Sequence, residues 1–384
     1  MTTIRPADDF ALRLAVLYAS LFLVVGIQFP FFPLWLKARG LDAEAIGIVL
    51  AVPIVMRIIA VPLINRAVDR AGDLRRGVIA AAVASVAGFA IVGCSQGFIP
   101  ILLAVAFASV VSSPIISLAD AYALKGLNVR RRAYGPVRLW GSIAFIAANL
   151  ATGVLLTVIA ADRLIWLIVA AFALLAMVSL GLRRPDAASP AESAHITAAG
   201  HLWGSLKFLT IAAAASLIQA SHALYYGFSA VDWTAKGISS TSVGVLWGLG
   251  VVAEIMLFAW SSRLALSPAT LLAMGAAGAT IRWIAMAFDP PMALLTLAQC
   301  LHGLSFGATH LGAIQFVSRI ASDKRAAAAQ GDFATILAIG NAAATGASGL
   351  LYAALGNYGY AIMAAMAVLG GACLLPALTA RAKS

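Results

Sequence analysis

Apolar runs of roughly 20 residues, parted by short polar gaps, recur from one end of the chain to the other, and a run of that length is what a helix needs to cross hydrocarbon. They predict helical spans near 10–36, 43–64, 78–94 and 98–124, one that opens after 130–132, and one at 164–182. Beyond a longer polar gap, further spans follow near 204–235, 240–262, 266–288, 292–318, 326–354 and 358–379. Pro30 and Pro33 remove backbone donors near the outer end of the first run and predict a break there, of the kind that survives only against protein or a cavity. The gap at 183–203 holds Pro185, Ser189, Pro190 and Ser193 with His195 and His201, and reads as a linker in which the histidines are solvated.

The pattern is also duplicated. Gly40, Gly47, Arg57 and Arg66 have counterparts at Gly237, Gly244, Glu254 and Arg263, each 197 residues further on, and Trp35 pairs with Trp233 just before them. The expected fold is therefore an all-α membrane protein of about twelve helices. It consists of two parallel six-helix pseudo-repeats, 1–182 and 204–384, joined by the linker 183–203.

Composition agrees: 62% of residues are hydrophobic and 11% charged, against about 25% charged in a soluble domain. The formal charge of +11 does not imply nucleic acid, because the basic residues stand in the gaps between apolar runs. They mark topology instead. Arg66, Arg70, Arg75 and Arg76, then Lys125 and Arg130 to Arg132, then Arg183, Arg184 and Lys207, then Arg263, Arg319, Lys324, Arg325, Arg381 and Lys383 all fall on one side. Only Lys37, Arg39, Arg163 and Lys236 fall on the other, which puts both termini and the linker in the cytoplasm and the chain in a cell (inner) membrane. The N-terminal segment carries two acids and no small-residue cleavage site, so the first span is expected to be retained. Cys94, Cys300 and Cys373 are far apart inside apolar runs, with no metal or disulfide spacing.

Four segments carry a resemblance. The loop from Asn65 to Arg76, NRAVDRAGDLRR, contains Asp69-Arg70-Ala71-Gly72 in the gap after the second span. It resembles the loop of the major facilitator superfamily between its second and third helices, with Asn65 where Gly is usual and Asp73 ahead of the basic pair. Tyr134 to Ser142 (YGPVRLWGS), Gly244 to Glu254 (GVLWGLGVVAE) and Leu301 to His310 (LHGLSFGATH) resemble the fifth, eighth and tenth helices of the phenylpropionic acid transporter branch, which is related to lactose permease. The likeness covers nearly the whole chain. It implies a proton symporter, a gating role for Asp69 with Arg70, proton coupling at Glu254, and substrate binding by the pair Asp120 and Arg138.

The residues allow that chemistry on their own terms. Glu254 lies near the middle of an apolar span, where an unpartnered carboxylate is costly, so it is suited to cycling between protonated and charged forms. Arg57, its repeat counterpart, cannot lose its charge and is a bidentate donor for a carboxylate solute or for Glu254 itself. His302 and His310 project within about 80° of each other on a regular helix and can relay protons near neutral pH, or hold helices together by hydrogen bonds. Gly303 and Gly307 between them suit close helix packing. His222 has the same ambiguity, while Arg282, near the end of its span, is expected to snorkel to the interface, although the branch resemblance would let it pair with the eighth or tenth helix. Asp120 can equally form a salt bridge with Lys125 or the basic run, and Asp332 reads as a helix-end counter-charge. Tyr226 and Trp247, with Phe29, Phe31, Phe32, Tyr225 and Phe228, can line a pocket for an aromatic solute.

The expected activity is proton-coupled symport of a small organic solute, an aromatic carboxylate such as phenylpropionate being favoured. The alternatives are proton-coupled export and transport of a sugar or nucleoside. No Walker loop points to nucleotide-driven transport, and no nucleophile, metal cluster or acid pair at recognisable spacing points to an enzyme. The partners expected are the solute, protons and the lipid bilayer, with no cofactor, no nucleic acid and a monomeric state.

Overall fold

The structure is a computed structural model that describes residues 9–183, 205–264, 266–320 and 326–374. All but the first residue of the expected linker, with His195 and His201, lies outside the described residues, as do Lys324, Arg325, Arg381 and Lys383. The described elements are helical. In the first half they are α1 (Phe10–Ala38), α2 (Ala43–Ala71), α3 (Leu74–Cys94), α4 (Phe98–Ser112), α5 (Pro114–Val129), α6 (Gly135–Leu155) and α7 (Leu164–Leu180). In the second they are α8 (Leu206–Ala220), α9 (Ala223–Ala235), α10 (Ser240–Leu264), α11 (Pro268–Ala287), α12 (Met292–Cys300), a π-helical segment (Gly303–Ala308), α13 (Thr309–Ile320), α14 (Ala326–Leu355) and α15 (Gly359–Ala372).

Several of these join into single crossings: α4 with α5, α8 with α9, and α12 with α13 through the π segment. Eleven described stretches are long and apolar enough to cross a membrane. The last, Ala329–Ala372, has 44 residues and would reach about 66 Å as one helix, twice a ~30 Å hydrocarbon core. It turns instead at Gly356–Tyr358 and supplies two crossings, which gives the twelve expected.

The duplication has a direct structural meaning. Gly40 and Gly237 sit at φ +82° and +83°, just past the ends of α1 and α9. In both places the next residue donates back five positions, Leu41 N to Leu36 O at 3.2 Å and Ile238 N to Trp233 O at 2.9 Å. These are matching Schellman caps, and the left-handed backbone they need is the reason glycine stands there. The following helices also start alike, with Asp42 accepting from Ala45 N and Ser239 from Ser242 N. Gly72 also stands in the left-handed region, at φ +69°, with its own N–H on Val68 O at 3.0 Å, and Asp73 caps α3 by accepting from Arg76 N at 3.0 Å. That cap explains an acid ahead of the basic pair. Asn65, in place of the usual glycine, donates to Ser117 Oγ at 2.9 Å and ties α2 to α5.

Pro30 and Pro33 do not break the first span, contrary to expectation. α1 runs through both, and both rings are buried against protein. α6 and α7 pack along this helix. Gly26, a turn before Pro30, lets α6 approach so closely that a Cβ there would meet Phe145 O at 2.7 Å. Neighbouring protein thus covers the turn whose backbone bond the prolines remove.

Contacts group the chain into two units, Met1–Leu41 with Met56–Ala194, and Asp42–Val55 with His195–Ser384. In the first, α3 packs against α4, α5 and α7 beside the α1–α6–α7 group. Its basic ends are fastened by arginines. Arg13 Nη1 donates to Gly181 O at 2.6 Å and Arg75 Nη2 to Leu180 O at 3.1 Å, supplying cations to the C-terminal carbonyls of α7. Asp9 pairs with Arg13 and Arg183, and the hydrogen bond from Arg13 leads in holding its carboxyl below the usual range. In the second unit, α11 lies between α15 and α13, α8 packs on α14, and α10 lies on the π segment. Lys236 there binds Asp289 at 2.7 Å and Asp232 at 3.0 Å. Burial works against its charge, yet the hydrogen bonds to those two acids outweigh it and hold the ammonium above its ordinary value.

Candidate functional site

In the second unit three local features fall side by side. The first is the joint between α8 and α9. Ser221 Oγ donates to Ile218 O at 2.6 Å, and His222 Nδ1 lies 3.2 Å from both Ile218 O and Gln219 O. Side chains that take up helical carbonyls in this way compete with the backbone ladder and open a joint. Carbonyls only accept, so His222 carries its proton on Nδ1, and Nε2 accepts from Ser305 Oγ at 3.0 Å.

The second feature is the π segment, which holds Ser305 and follows directly on His302. Glycines let α10 settle on it. A Cβ at Gly303 would meet Ala253 O at 2.7 Å, one at Gly307 would meet Glu254 Cγ at 3.3 Å, and one at Gly250 would meet the His302 ring. The Gly303 and Gly307 pair therefore packs helices, as its spacing suggested.

The third feature is Arg282 on α11, which takes the alternative its resemblance allowed, pairing with the tenth crossing, and not the interfacial one. Its side chain does not snorkel: it is fully buried. Its fork finds fixed partners, Gln299 Oε1 at 2.7 Å and His302 Nδ1 at 3.0 Å, and its cation lies 4.3 Å from the centre of the Tyr225 ring and 4.7 Å from that of Trp283. Trp283 Nε1 donates to Ser221 Oγ at 2.8 Å and closes the circuit back to the α8–α9 joint.

Arginine has no acceptor, so His302 Nδ1 receives the Arg282 bond as a lone pair, and the ring proton is on Nε2. That nitrogen is 3.9 Å from Glu254 Oε2. Arg282, His302 and Glu254 thus form a line of cation, imidazole and carboxyl group. The side chains of His302 and Glu254 are 9% and 19% exposed, so the acid is the more open of the two.

Aromatic rings cover this line. Tyr225 stacks on Trp247 at 4.8 Å, and Tyr226 lies 5.8 Å from Trp247 and 6.4 Å from His302. His302, Phe306 and His310 form a ladder with centroid spacings of 5.3 and 5.9 Å and near-parallel planes. On a regular helix, rings four apart drift steadily around the axis; the underwound π segment opposes that drift and stacks both histidines through Phe306. His310 is exposed at the end of the ladder. The structure therefore brings Glu254, His302, His310, Tyr226 and Trp247 into one neighbourhood.

The first unit holds its acid differently. Asp120 Oδ1 accepts from Tyr18 at 2.6 Å and from Tyr134 at 2.8 Å. Burial leads in lifting the Tyr134 hydroxyl above its usual value, which keeps it a donor. The Arg138 guanidinium lies 3.8 Å from the centre of the Phe22 ring and 5.6 Å from that of Tyr18, beside the acid's partners. Arg57, on α2, and Asp69 and Arg70, in its last turns, are exposed.

Gln299, Ser305, Ser221, Trp283, Tyr18 and Tyr134 were not anticipated. For two of them a signal exists: Gln299, His302 and Ser305 recur every three residues as polar positions in an apolar run. Tyr18 carries none, because a tyrosine in such a run is ordinary.

Twelve apolar crossings among the described residues, with a buried cation and a partly buried carboxyl group set among aromatic rings, make this a multi-pass membrane protein with a polar site in its second unit. The model of the MFS_1 like family matches residues 11–360. The chain belongs to that family, within the major facilitator superfamily. The "Probable 3-phenylpropionic acid transporter" of Escherichia coli (strain K12) is 33% identical over 390 residues, covering 96% of this chain and 97% of that protein. The maltose permease of Geobacillus stearothermophilus is 26% identical over 317 residues, covering 80% and 78%. Among solved structures, the nucleoside transporter NupG superposes with a TM-score of 0.82 at 16% identity, over 96% of this chain and 98% of that one. A bacterial homologue of the human lysosomal transporter Spinster, in an inward-facing and occupied conformation, gives 0.74 at 14% identity, over 97% and 98%. These two likenesses show the fold alone.

Proposed function

We propose that this transporter moves a small organic carboxylate together with protons, as a secondary active symporter, and that an aromatic acid such as phenylpropionate is its favoured solute. The observation that carries this reading is the line from Arg282 through His302 to Glu254, roofed by Tyr226 and Trp247. It sets a permanent cation and an acid beside aromatic surface, and the name of the Escherichia coli relative points to the same solute class.

In this proposal Glu254 couples proton to solute, with His302 and His310 assisting. Tyr226 and Trp247 bind the solute in the second unit, and Arg57, Asp120 and Arg138 do so in the first. Asp69 and Arg70 gate. The transporter works as a monomer in the cell (inner) membrane, with both termini and the linker 183–203 cytoplasmic and the six-helix repeats at 1–182 and 204–384.

A second reading, transport of a sugar or nucleoside, draws on the names of the maltose permease and NupG. Export by proton antiport is a variant of either. Uptake by proteoliposomes of labelled aromatic acids, sugars and nucleosides, with and without an imposed pH gradient, separates them. Accumulation of an aromatic acid driven by an inward proton gradient is expected. Accumulation of a nucleoside or sugar in its place would overturn the carboxylate reading.

A further inference from the structure

We infer that the groove between α1 and α7 binds one anionic phospholipid, its headgroup held by Arg13 and Arg183 and an acyl chain lying along the groove. The site stands whichever solute the transporter carries.

The pattern begins in the sequence. α1 leaves the basic end of the first unit and α7 returns to it, so the first turns of one lie beside the last turns of the other. Asp9 and Arg13 are four residues apart and share a face, and Leu12 and Val16 continue the strip inward. Met177 and Val178 stand opposite on α7, a turn before Gly181. Together these residues line a groove of about 330 Å³. Leu12 and Met177 are 67% and 62% exposed, apolar side chains that in a membrane meet lipid and not water. From Asp9 to Val16 the helix descends about 10 Å, enough to pass from the polar layer of a leaflet, roughly 6 Å deep, into hydrocarbon. The groove is therefore charged where headgroups lie and apolar where chains lie.

Its charges are arranged with the cations outward. Asp9 Oδ2 accepts from Arg13 Nε and Nη2, both at 2.8 Å, and pairs with Arg183 Nη2 at 3.2 Å, while Asp9 Oδ1 is buried. Side-chain exposure rises from 29% at Asp9 to 37% at Arg13 and 63% at Arg183, so the acid serves both guanidiniums from within. Arg75 reaches the same helix end from α3, through Leu180 O at 3.1 Å. Three guanidiniums and one carboxylate leave a net charge of +2 (3 − 1). The bond to Asp9 occupies one of the five N–H donors of Arg183, and the remaining fork matches the oxygens of a phosphate.

The two ends of the groove select the occupant jointly. A free phosphate would meet the guanidiniums and leave the apolar walls bare. A zwitterionic lipid would cover the walls and bring its own cation to a site already positive. An anionic phospholipid answers both, and basic pockets between crossings are where such headgroups bind. Seated there, it spans α1 and α7 and ties the first crossing of the unit to the sixth. In the orientation proposed above, it belongs to the cytoplasmic leaflet.

The test is lipid retention by the purified full chain in neutral detergent, read by native mass spectrometry against phosphatidylglycerol, phosphatidylethanolamine and phosphatidylcholine with the same acyl chains. Phosphatidylglycerol should be held at least about tenfold better than either zwitterion, and it alone should raise the thermal midpoint. Arg183→Gln removes the most exposed cation and should lower retention about fivefold. Val16→Trp fills the groove, touches no charge and should lower it as well. Equal retention of the three lipids would overturn the site. So would parental retention in either variant, because the headgroup in the first case, or the chain in the second, would then be held elsewhere. Excess inorganic phosphate should leave the lipid in place, and displacement by it would mark a free-anion site instead.

Discussion

The two units hold their central acids by opposite means. Asp120 is gripped by two phenol hydroxyls at 2.6 and 2.8 Å, both neutral donors, with the nearby cation of Arg138 laid over rings. Glu254 Oε2 lies 3.9 Å from the imidazole Nε2 of His302, and the cation behind that imidazole is buried and fixed. Asp120 is therefore held directly by neutral phenols, whereas Glu254 meets its nearby cation only through an intervening imidazole, although the two units grew from one repeat.

The strongest way to break this contrast is Arg282→Met. It removes two hydrogen bonds from a charged donor and leaves Gln299 and His302 acceptors buried, so a loss of about 3 kcal/mol is expected in unfolding, together with abolished uptake. Next comes Gly303→Ala, whose Cβ would press on Ala253 O; a cost of about 2 kcal/mol is expected, read as a lower thermal midpoint.

Tyr18→Phe should cost about 1.5 kcal/mol, and Tyr134→Phe somewhat less because its bond to Asp120 is longer. Asp120→Asn should slow uptake without changing the shape of its pH profile. If it flattens that profile as Glu254→Gln is expected to, the two acids are not different in kind. The smallest effect is expected at Lys236→Met, about 1 kcal/mol, because the side chain is about a third exposed and solvent screens its pairs. The folded state holds this ammonium above its ordinary value. The parent's advantage over the variant should therefore be full below the unfolded lysine value and vanish as pH rises through the folded one.

The fold was legible because it depends on few things: apolar runs long enough to cross, a repeat fixed by Gly40 and Gly237, and basic gaps. The site was legible only in part. Glu254 and the histidines stand out as polar residues in apolar runs, but the depth and direction of Arg282 do not, since a helix apolar on every side gives no periodicity from which a buried face can be read. The partnership of His222 with Ser305 joins positions 83 residues apart, and nothing local announces it. The continuity of α1 through Pro30 and Pro33 was hidden for the same reason. What tolerates those rings is the approach of α6 at Gly26, a fact about another helix.

The π segment makes position in this helix a matter of counting. It holds one residue more than an α-helix would use to cover the same rise, and that surplus keeps His310 in line with His302. Wind the same eight steps as a regular α-helix and His310 is carried about 80° around the axis and out of the stack; take one residue out as the segment closes and the seven remaining steps return it to within about 20°. In an alignment of relatives, then, a one-residue gap between these two positions would mark a crossing that has lost the bulge and kept its facing.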